Sequence, residues 1–255
     1  MDLKSDILNA KVNQTHLFFL GQAGFVLKSK KQTLLGVDMY LSQCVERAEG
    51  HVGFKRLTPQ ILAPSDIIFD HIIATHPHYD HFDMDAIPIL MSNPHTHLYA
   101  SINCQQEVKR LMMDERNISY IQVGDYIEAD DINIQCVPCD HGTGAPDAVG
   151  LVITIDGKRI YIAGDTCLRK DYAEVILKAG PFEVMIAPIN GAFGNLSETD
   201  CVTLCGIIKP KLVIPCHYGT FISHGGNPGL FMDIIQKRMP DQHFLLMAQG
   251  EGITI

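Results

Sequence analysis

Positive charge is sparse and scattered in this 255-residue chain: 20 Lys and Arg stand against 29 Asp and Glu, for a net charge of −9. With no basic block, nucleic acid and anionic membrane surfaces are excluded as generic partners, and only a local basic pocket for a small anion stays open. Long apolar runs are missing too. Leu212 to Cys216, after Lys209-Pro210-Lys211, is strand-sized and far short of a membrane span. The opening Met1-Asp2-Leu3-Lys4-Ser5-Asp6 lacks the apolar stretch of a secretory signal, so a cytoplasmic location is expected. Repeats, low-complexity segments and interdomain linkers are also lacking. A chain of this length, 46% hydrophobic and 19% charged, is expected to form one domain over 1–255 with a sizeable core. Assembly into a homo-oligomer is left open.

The eight cysteines do not read as a disulfide framework, because the chain carries no secretory signal. Cys136 and Cys139 form a lone C-x-x-C with no second pair at zinc-ribbon spacing, so buried thiols on a strand are expected. Cys201 and Cys205, one helical turn apart, read as core residues.

Strands are expected at Thr15–Leu20, at Phe25–Leu27 after the turn Gly21-Gln22-Ala23-Gly24, at Thr33–Val37 and at Asp70–Thr75. Residues 39–66 read as a long irregular connection, the kind of loop that carries function. Helix and strand then alternate. Helices are expected over Asp83–Met91 with an interruption at Pro88, over Ile102–Asp114 and over Asp171–Lys178. A capping box opens a helix from Ser197 to Ile208, and Asn227-Pro228 opens another that runs to Met239. Further strands are expected at His97–Ala100, Tyr120–Val123, Ile132–Pro138, Val149–Ile155, Arg159–Ala163, Val184–Ala187, Val213–Pro215, Phe244–Met247 and Ile253–Ile255. The pattern points to a layered α/β architecture.

What the chain does concentrate is metal-ligand side chains. His76-Pro77-His78-Tyr79-Asp80-His81 follows the apolar strand that ends at Thr75. Neutral imidazoles and carboxylates crowded at a strand end suit a divalent cation. His141, Asp165 and His217 each follow another apolar strand. Five His and two Asp can supply two cations with three or four ligands each and leave positions open, as a catalytic rather than a structural site requires. The ligands alone do not fix the metal: imidazole suits Zn2+, and the two carboxylates leave Mn2+ or iron open.

His76-x-His78-x-Asp80-His81, the distant His141, Gly164-Asp165-Thr166 and the late His217 resemble the metallo-β-lactamase superfamily over most of the chain, from about Thr15 to Ile255. The resemblance implies a four-layer αββα sandwich with the metals at one edge. It implies that His76, His78 and His141 hold one divalent ion, that Asp80, His81 and His217 hold a second, and that Asp165 bridges them. A closer likeness, to the L-ascorbate-6-phosphate lactonase-like branch, rests on Val37-Asp38-Met39-Tyr40-Leu41-Ser42, Ala74-Thr75-His76, Asn190-Gly191 and Ile214-Pro215-Cys216-His217-Tyr218-Gly219-Thr220. It implies hydrolysis of a small lactone, anionic or phosphorylated.

Two cations roughly 3.5–4 Å apart lower the pKa of a shared water towards about 7, which makes hydroxide the expected nucleophile. Asp80 and Asp165 are the candidates to orient it and to pass a proton to the leaving group. Asp38 is expected to hold a ligating histidine through its second N–H, with Thr75 and Thr166 as lesser supports. Around the substrate, Tyr218, His224, Asn190 and Arg56 are the candidates. The Gly-rich approach to the helix after Asn227 is suited to an anion, with Lys55 and Arg169 as further loop cations. His16, His51, His71, His95, His97 and His243 read as ordinary loop and strand residues.

A phosphodiesterase on the same fold uses the same chemistry and is the alternative activity. A diiron redox protein is a third reading. Its relatives carry a Glu within the first motif and a flavin domain, whereas this chain has His78 and no room for the domain. A non-catalytic binding module is the fourth, against which the full ligand set speaks.

Overall fold

The computed structural model describes residues 2–255. Fourteen strands occur among the described residues. The first six are β1 His16–Gly21, β2 Gly24–Lys28, β3 Leu34–Val37, β4 His71–Ala74, β5 His97–Ser101 and β6 Ile118–Ile121. They are followed by β7 Tyr126–Ala129, β8 Ile132–Pro138, β9 Val149–Ile155, β10 Lys158–Ile162 and β11 Val184–Pro188. The last three are β12 Leu212–Cys216, β13 His243–Phe244 and β14 Gly252–Thr254.

They form two seven-stranded sheets, ordered β14-β1-β2-β3-β4-β5-β6 and β13-β12-β11-β10-β9-β8-β7. Each sheet is mixed. β14-β1-β2-β3 and β7-β8-β9-β10 pair antiparallel, while β3-β4-β5-β6 and β10-β11-β12-β13 pair parallel.

Strand periodicity sorts the core into layers. On β1, Leu17 and Phe19 face the second sheet, and Phe18 and Leu20 face outward. The inter-sheet layer joins these to Phe25, Leu35 and Ile73 from the first sheet and to Leu151, Ile162 and Ile186 from the second. The helices α1 Leu3–Leu8, α2 Cys44–Glu49, α3 Ala86–Leu90 and α4 Gln105–Arg110 belong to the first half of the chain. Of these, α1, α3 and α4 cover the outer face of the first sheet through Ile7, Ile87 and Val108. α5 Lys170–Lys178, α6 Glu198–Ile208 and α7 Pro228–Arg238 cover the second through Ile176, Cys201, Cys205 and Phe231. The architecture is the four-layer αββα sandwich expected. With both sheet faces covered, the strands read as apolar runs rather than alternations.

Several elements differ from the sequence-based expectation. The connection 39–66 contains α2 and a 3-10 turn at Gly50–Val52. Pro88 does not interrupt a helix: it lies in the first turn of α3, where backbone N–H groups have no intrahelical partner to lose. The helix expected over Ile102–Asp114 is a 3-10 turn at Ile102–Cys104 followed by α4. The strand expected at Phe244–Met247 pairs only at His243–Phe244, after which Leu245 donates one bond to the Val213 carbonyl before the chain leaves the sheet. α1 and β7 were not legible. Each is short, and β7 shows its outward faces to solvent at Tyr126 and Glu128. The caps at Ser197 and Asn227 form as expected, with Ser197 accepting from the Asp200 N–H and Asn227 from the Leu230 N–H. Cys136 and Cys139 are buried free thiols.

β1, β3, β4, β8, β10, β11 and β12 all run in the direction that brings their C-terminal ends to one edge of the sandwich. Gln22, Asp38, His76, His141, Asp165, Asn190 and His217 lie just beyond those ends. Ligand sites on open α/β sheets form at carboxyl strand ends of this kind.

Candidate metal centre

β4 is buried over Ile72–Ala74 and carries the chain directly into Thr75 and His76, both fully buried. His76 Nε2 lies 3.0 Å from His78 Nδ1, which lies 3.1 Å from His141 Nε2. A neutral imidazole has one donor and one acceptor nitrogen, so three mutually facing ring nitrogens cannot all be satisfied by one another. A cation held by the three nitrogens would satisfy all of them. Burial pushes His76 and His78 below the ordinary imidazole range and His141 down to about 4. The three rings are therefore neutral, with lone pairs available to a metal.

The neighbouring group pairs imidazoles with carboxylates. His81 Nδ1 lies 2.9 Å from Asp38 Oδ2, and Asp38 also accepts the Thr75 N–H at 2.8 Å and the Thr75 hydroxyl at 2.7 Å. A buried carboxylate so placed fixes the ring and its tautomer. His81 Nε2 is buried without a hydrogen-bond partner. It stands 3.4 Å from Asp165 Oδ1 and 3.7 Å from Asp80 Oδ2. His217 Nε2 closes the group, 3.1 Å from Asp165 Oδ2 and 3.3 Å from Asp80 Oδ2.

Asp165 faces both groups, since its Oδ2 is also 3.7 Å from His141 Nε2. Asn195 donates to that oxygen at 2.9 Å, and Gly164 (φ +65°) makes the turn that presents the residue. A Cβ at Gly164 would stand 3.0 Å from the Val149 carbonyl.

Burial opposes ionisation of Asp80 and Asp165, but the charges of His81 and His217 outweigh it and hold both carboxyls well below the usual range. The same pairing raises the histidines against their burial: His81 through Asp165, Asp38 and Asp80, and His217, through Asp165 and Asp80, up to about 9. Protons here neutralise carboxylates as a cation would. The donor set, the unpartnered His81 Nε2 and the facing ring nitrogens all fit a divalent metal.

A cavity of about 740 Å³ opens on these residues. Its lining combines apolar Val45, Phe54, Pro77 and Phe193 with polar Asn103, Gln106, Glu49 and Glu107. No Lys or Arg lines it among the described residues.

Of the residues expected around the substrate, His224 lines the cavity, while Tyr218, Asn190 and Arg56 do not. Arg56 is buried. Its guanidinium lies 4.6 Å over the Tyr40 ring and donates to the carbonyls of Ser42, Thr58 and Pro59. Its donors are committed to holding the 39–66 segment, so the expected substrate contact is corrected to a structural one. Tyr218 donates to the Met247 carbonyl and Asn190 to that of Ala192. Lys55 pairs with Glu46, and Arg169 with Asp140 and Asp171.

Two polar residues at the site went unread in the sequence, Gln22 and Asn195. Gln22 lies in the tight turn between β1 and β2, buried among apolar strands, and touches Asp80, His217 and His224. The signal for it was a long polar side chain in a turn that apolar sequence encloses.

A family model described as the beta-lactamase superfamily domain matches residues 48–218. A UPF0173 metal-dependent hydrolase of Saccharolobus solfataricus is 30% identical over 188 residues, 73% of this chain and 81% of its own. Two solved structures share the fold. A metallo hydrolase from the archaeon Ignicoccus hospitalis superposes with a TM-score of 0.74 at 20% identity, covering 95% of this chain and 99% of its own. The isothiocyanate hydrolase from Delia radicum gut bacteria superposes with a TM-score of 0.71 at 18% identity, covering 94% and 98%. With the family match spanning most of the chain and the candidate ligand groups brought together, this protein belongs to the metallo-β-lactamase superfamily and is a metal-dependent hydrolase.

Proposed function

We propose that the chain hydrolyses a small lactone or related ester with two divalent ions, manganese or zinc, and iron as the third candidate. One ion is assigned to His76, His78 and His141, the other to Asp80, His81 and His217, with Asp165 between them. The observation that carries this reading is the convergence of both groups on Asp165 at the floor of one cavity. When bound, such a pair of ions lowers the pKa of a water and polarises the scissile carbonyl.

The chain's own residues supply orientation and proton transfer. Asp165 Oδ2 is fixed by Asn195, so this carboxylate holds its place between the groups. Asp80 lines the cavity and turns Oδ2 towards Gln22, His81 and His217, the side on which the second ion would be held, which leaves Oδ1 to take the proton of the attacking water and return it to the leaving oxygen. Phe54 and Phe193 shield the reacting carbon from bulk water on one side.

A lining without Lys or Arg supports an uncharged substrate over the anionic one expected from the sequence. The isothiocyanate hydrolase of the same fold bears a name that points the same way, since an isothiocyanate is a small uncharged carbon electrophile.

The test is a side-by-side turnover assay on manganese- and zinc-loaded protein. It compares an uncharged γ-lactone, L-ascorbate 6-phosphate and bis(p-nitrophenyl) phosphate. Faster opening of the uncharged lactone is expected. Preference for the phosphorylated lactone would restore the anionic substrate, and preference for the diester would replace lactonase with phosphodiesterase.

A further inference from the structure

Gln22 is 1% exposed and holds φ at +55°, a conformation that costs little for glycine and is uncommon for other residues. Its backbone carbonyl accepts the His217 N–H at 2.7 Å. Its side-chain nitrogen lies 2.8 Å from Asp80 Oδ2 and 2.8 Å from His224 Nδ1. The orientation of the amide follows from chemistry: turned over, its carbonyl oxygen would sit against the Asp80 carboxylate, acceptor against acceptor. Two N–H protons serve the two short contacts. None remains for the His217 ring nitrogens, 3.1 Å and 3.3 Å away, of which Nε2 faces the Asp165 and Asp80 carboxylates instead. The Gln22 oxygen is buried without a donor, so the residue serves its neighbours at the expense of its own hydrogen bonding.

A neutral imidazole that accepts at Nδ1 carries its proton on Nε2. His224 Nε2 makes no hydrogen bond to the protein and is not among the enclosed unpartnered atoms, and the residue lines the cavity. The ring cannot turn freely. Phe54, Phe193 and Phe221 meet it edge-on at 5.2, 5.4 and 5.0 Å, and it stacks on His217 at 4.8 Å.

We infer that Gln22 is a positioning residue: it ties His224 to Asp80 and holds His224 as an Nε2–H donor aimed at the substrate oxygen. The role as substrate donor rests on the hydrolase reading above; the tautomer does not. Asp80, His217 and His224 also lie close enough together to hold an ion, which would instead make His224 a ligand.

The experiment uses zinc-loaded full-length protein, its His224→Ala, His217→Ala and Gln22→Met variants, and the double variant of Gln22 and His224. Metal content, histidine 15N spectra and lactone kinetics are read on each. His224 is expected as the pure Nε2–H tautomer in the parent and as a mixture in Gln22→Met. His224→Ala is expected to keep the parent's metal content and to lose kcat by about 10²–10³-fold, the range for a lost oxyanion donor. Gln22→Met should lose roughly 10–100-fold in kcat with KM little changed, as for other residues that act through a neighbour. The double variant should fall no further than His224→Ala.

A proton on Nδ1 in the parent would overturn the proposal. So would loss of zinc in His224→Ala matching that in His217→Ala. An Nε2–H tautomer with unchanged kcat in both single variants would refute the donor role. If no lactone is turned over, the spectra and the metal content still decide whether Gln22 sets the tautomer and whether His224 is a ligand.

Discussion

In the His76–His78–His141 group each imidazole turns one ring nitrogen towards another imidazole, whereas around Asp80 and Asp165 each of His81 and His217 faces a carboxylate. The first group is neutral and kept so by burial; the second is charged and held together by its own ion pairing. They overlap in origin, since His76, His78, Asp80 and His81 all come from the loop after β4, and His141, Asp165 and His217 come from the ends of β8, β10 and β12. A site of the first kind waits for a cation to relieve facing lone pairs. A site of the second kind already holds protons that a cation must displace, so the two should respond differently to substitution and to pH.

Asp165→Ala should have the largest effect, because this residue faces both groups. Loss of bound metal and of most turnover is expected, read by elemental analysis and the lactone assay; full metal and full activity would refute the bridging role. Asp38→Ala comes next. It touches no proposed metal position but leaves His81 without its orienting carboxylate, and metal affinity should fall about 10–100-fold. Competition with a chelator measures this, and an unchanged affinity would show that His81 needs no support.

The pH response separates the groups directly. His217 in the metal-free protein holds its proton up to about 9, so metal uptake there must release it, and affinity should climb as pH rises towards 9. His141 is neutral above about 4, and His76 and His78 are lowered as well, so affinity for the first group should be flat above the ordinary imidazole range near 6.5. Stability of the metal-free protein follows the same signs. The raised His217 contributes below its unfolded pKa and loses that contribution as pH rises through about 9. The lowered His141 costs stability as pH falls from about 6.5 to 4. Calorimetric titration of proton release across this range reads the difference, and equal release from both groups would remove it.

Arg56→Ala should have the smallest effect on the chemistry. Its bonds to three carbonyls lie away from the cavity, so a loss of about 2–3 kcal/mol in stability with KM unchanged is expected. A raised KM with unchanged denaturation midpoint would return it to the substrate.

Strand ends that deliver a histidine or an aspartate were legible, because a buried strand is a continuous apolar run and the polar side chain stands where it stops: His76 after β4, Asp165 after β10, His217 after β12. Asp38 was legible for the same reason. Apart from His224, the residues lining the cavity or buttressing it were not, since Phe54 and Phe193 on its wall and Gln22 behind it look like any core or turn residue until the sandwich brings remote loops together. Arg56 shows the converse error. A cation on a loop reads as available, yet this loop folds back on itself and consumes its donors. α1 and β7 were missed because a six-residue helix and a four-residue edge strand are too short for periodicity to show.

The most direct test is anomalous diffraction from crystals of the protein loaded with manganese, zinc or iron, collected at each metal's absorption edge. Two peaks roughly 3.5–4 Å apart are expected, one within His76, His78 and His141 and one within Asp80, His81 and His217, with Asp165 reaching both. A single peak, or a second one bound by His224 with His81 turned away, would contradict the two-group centre.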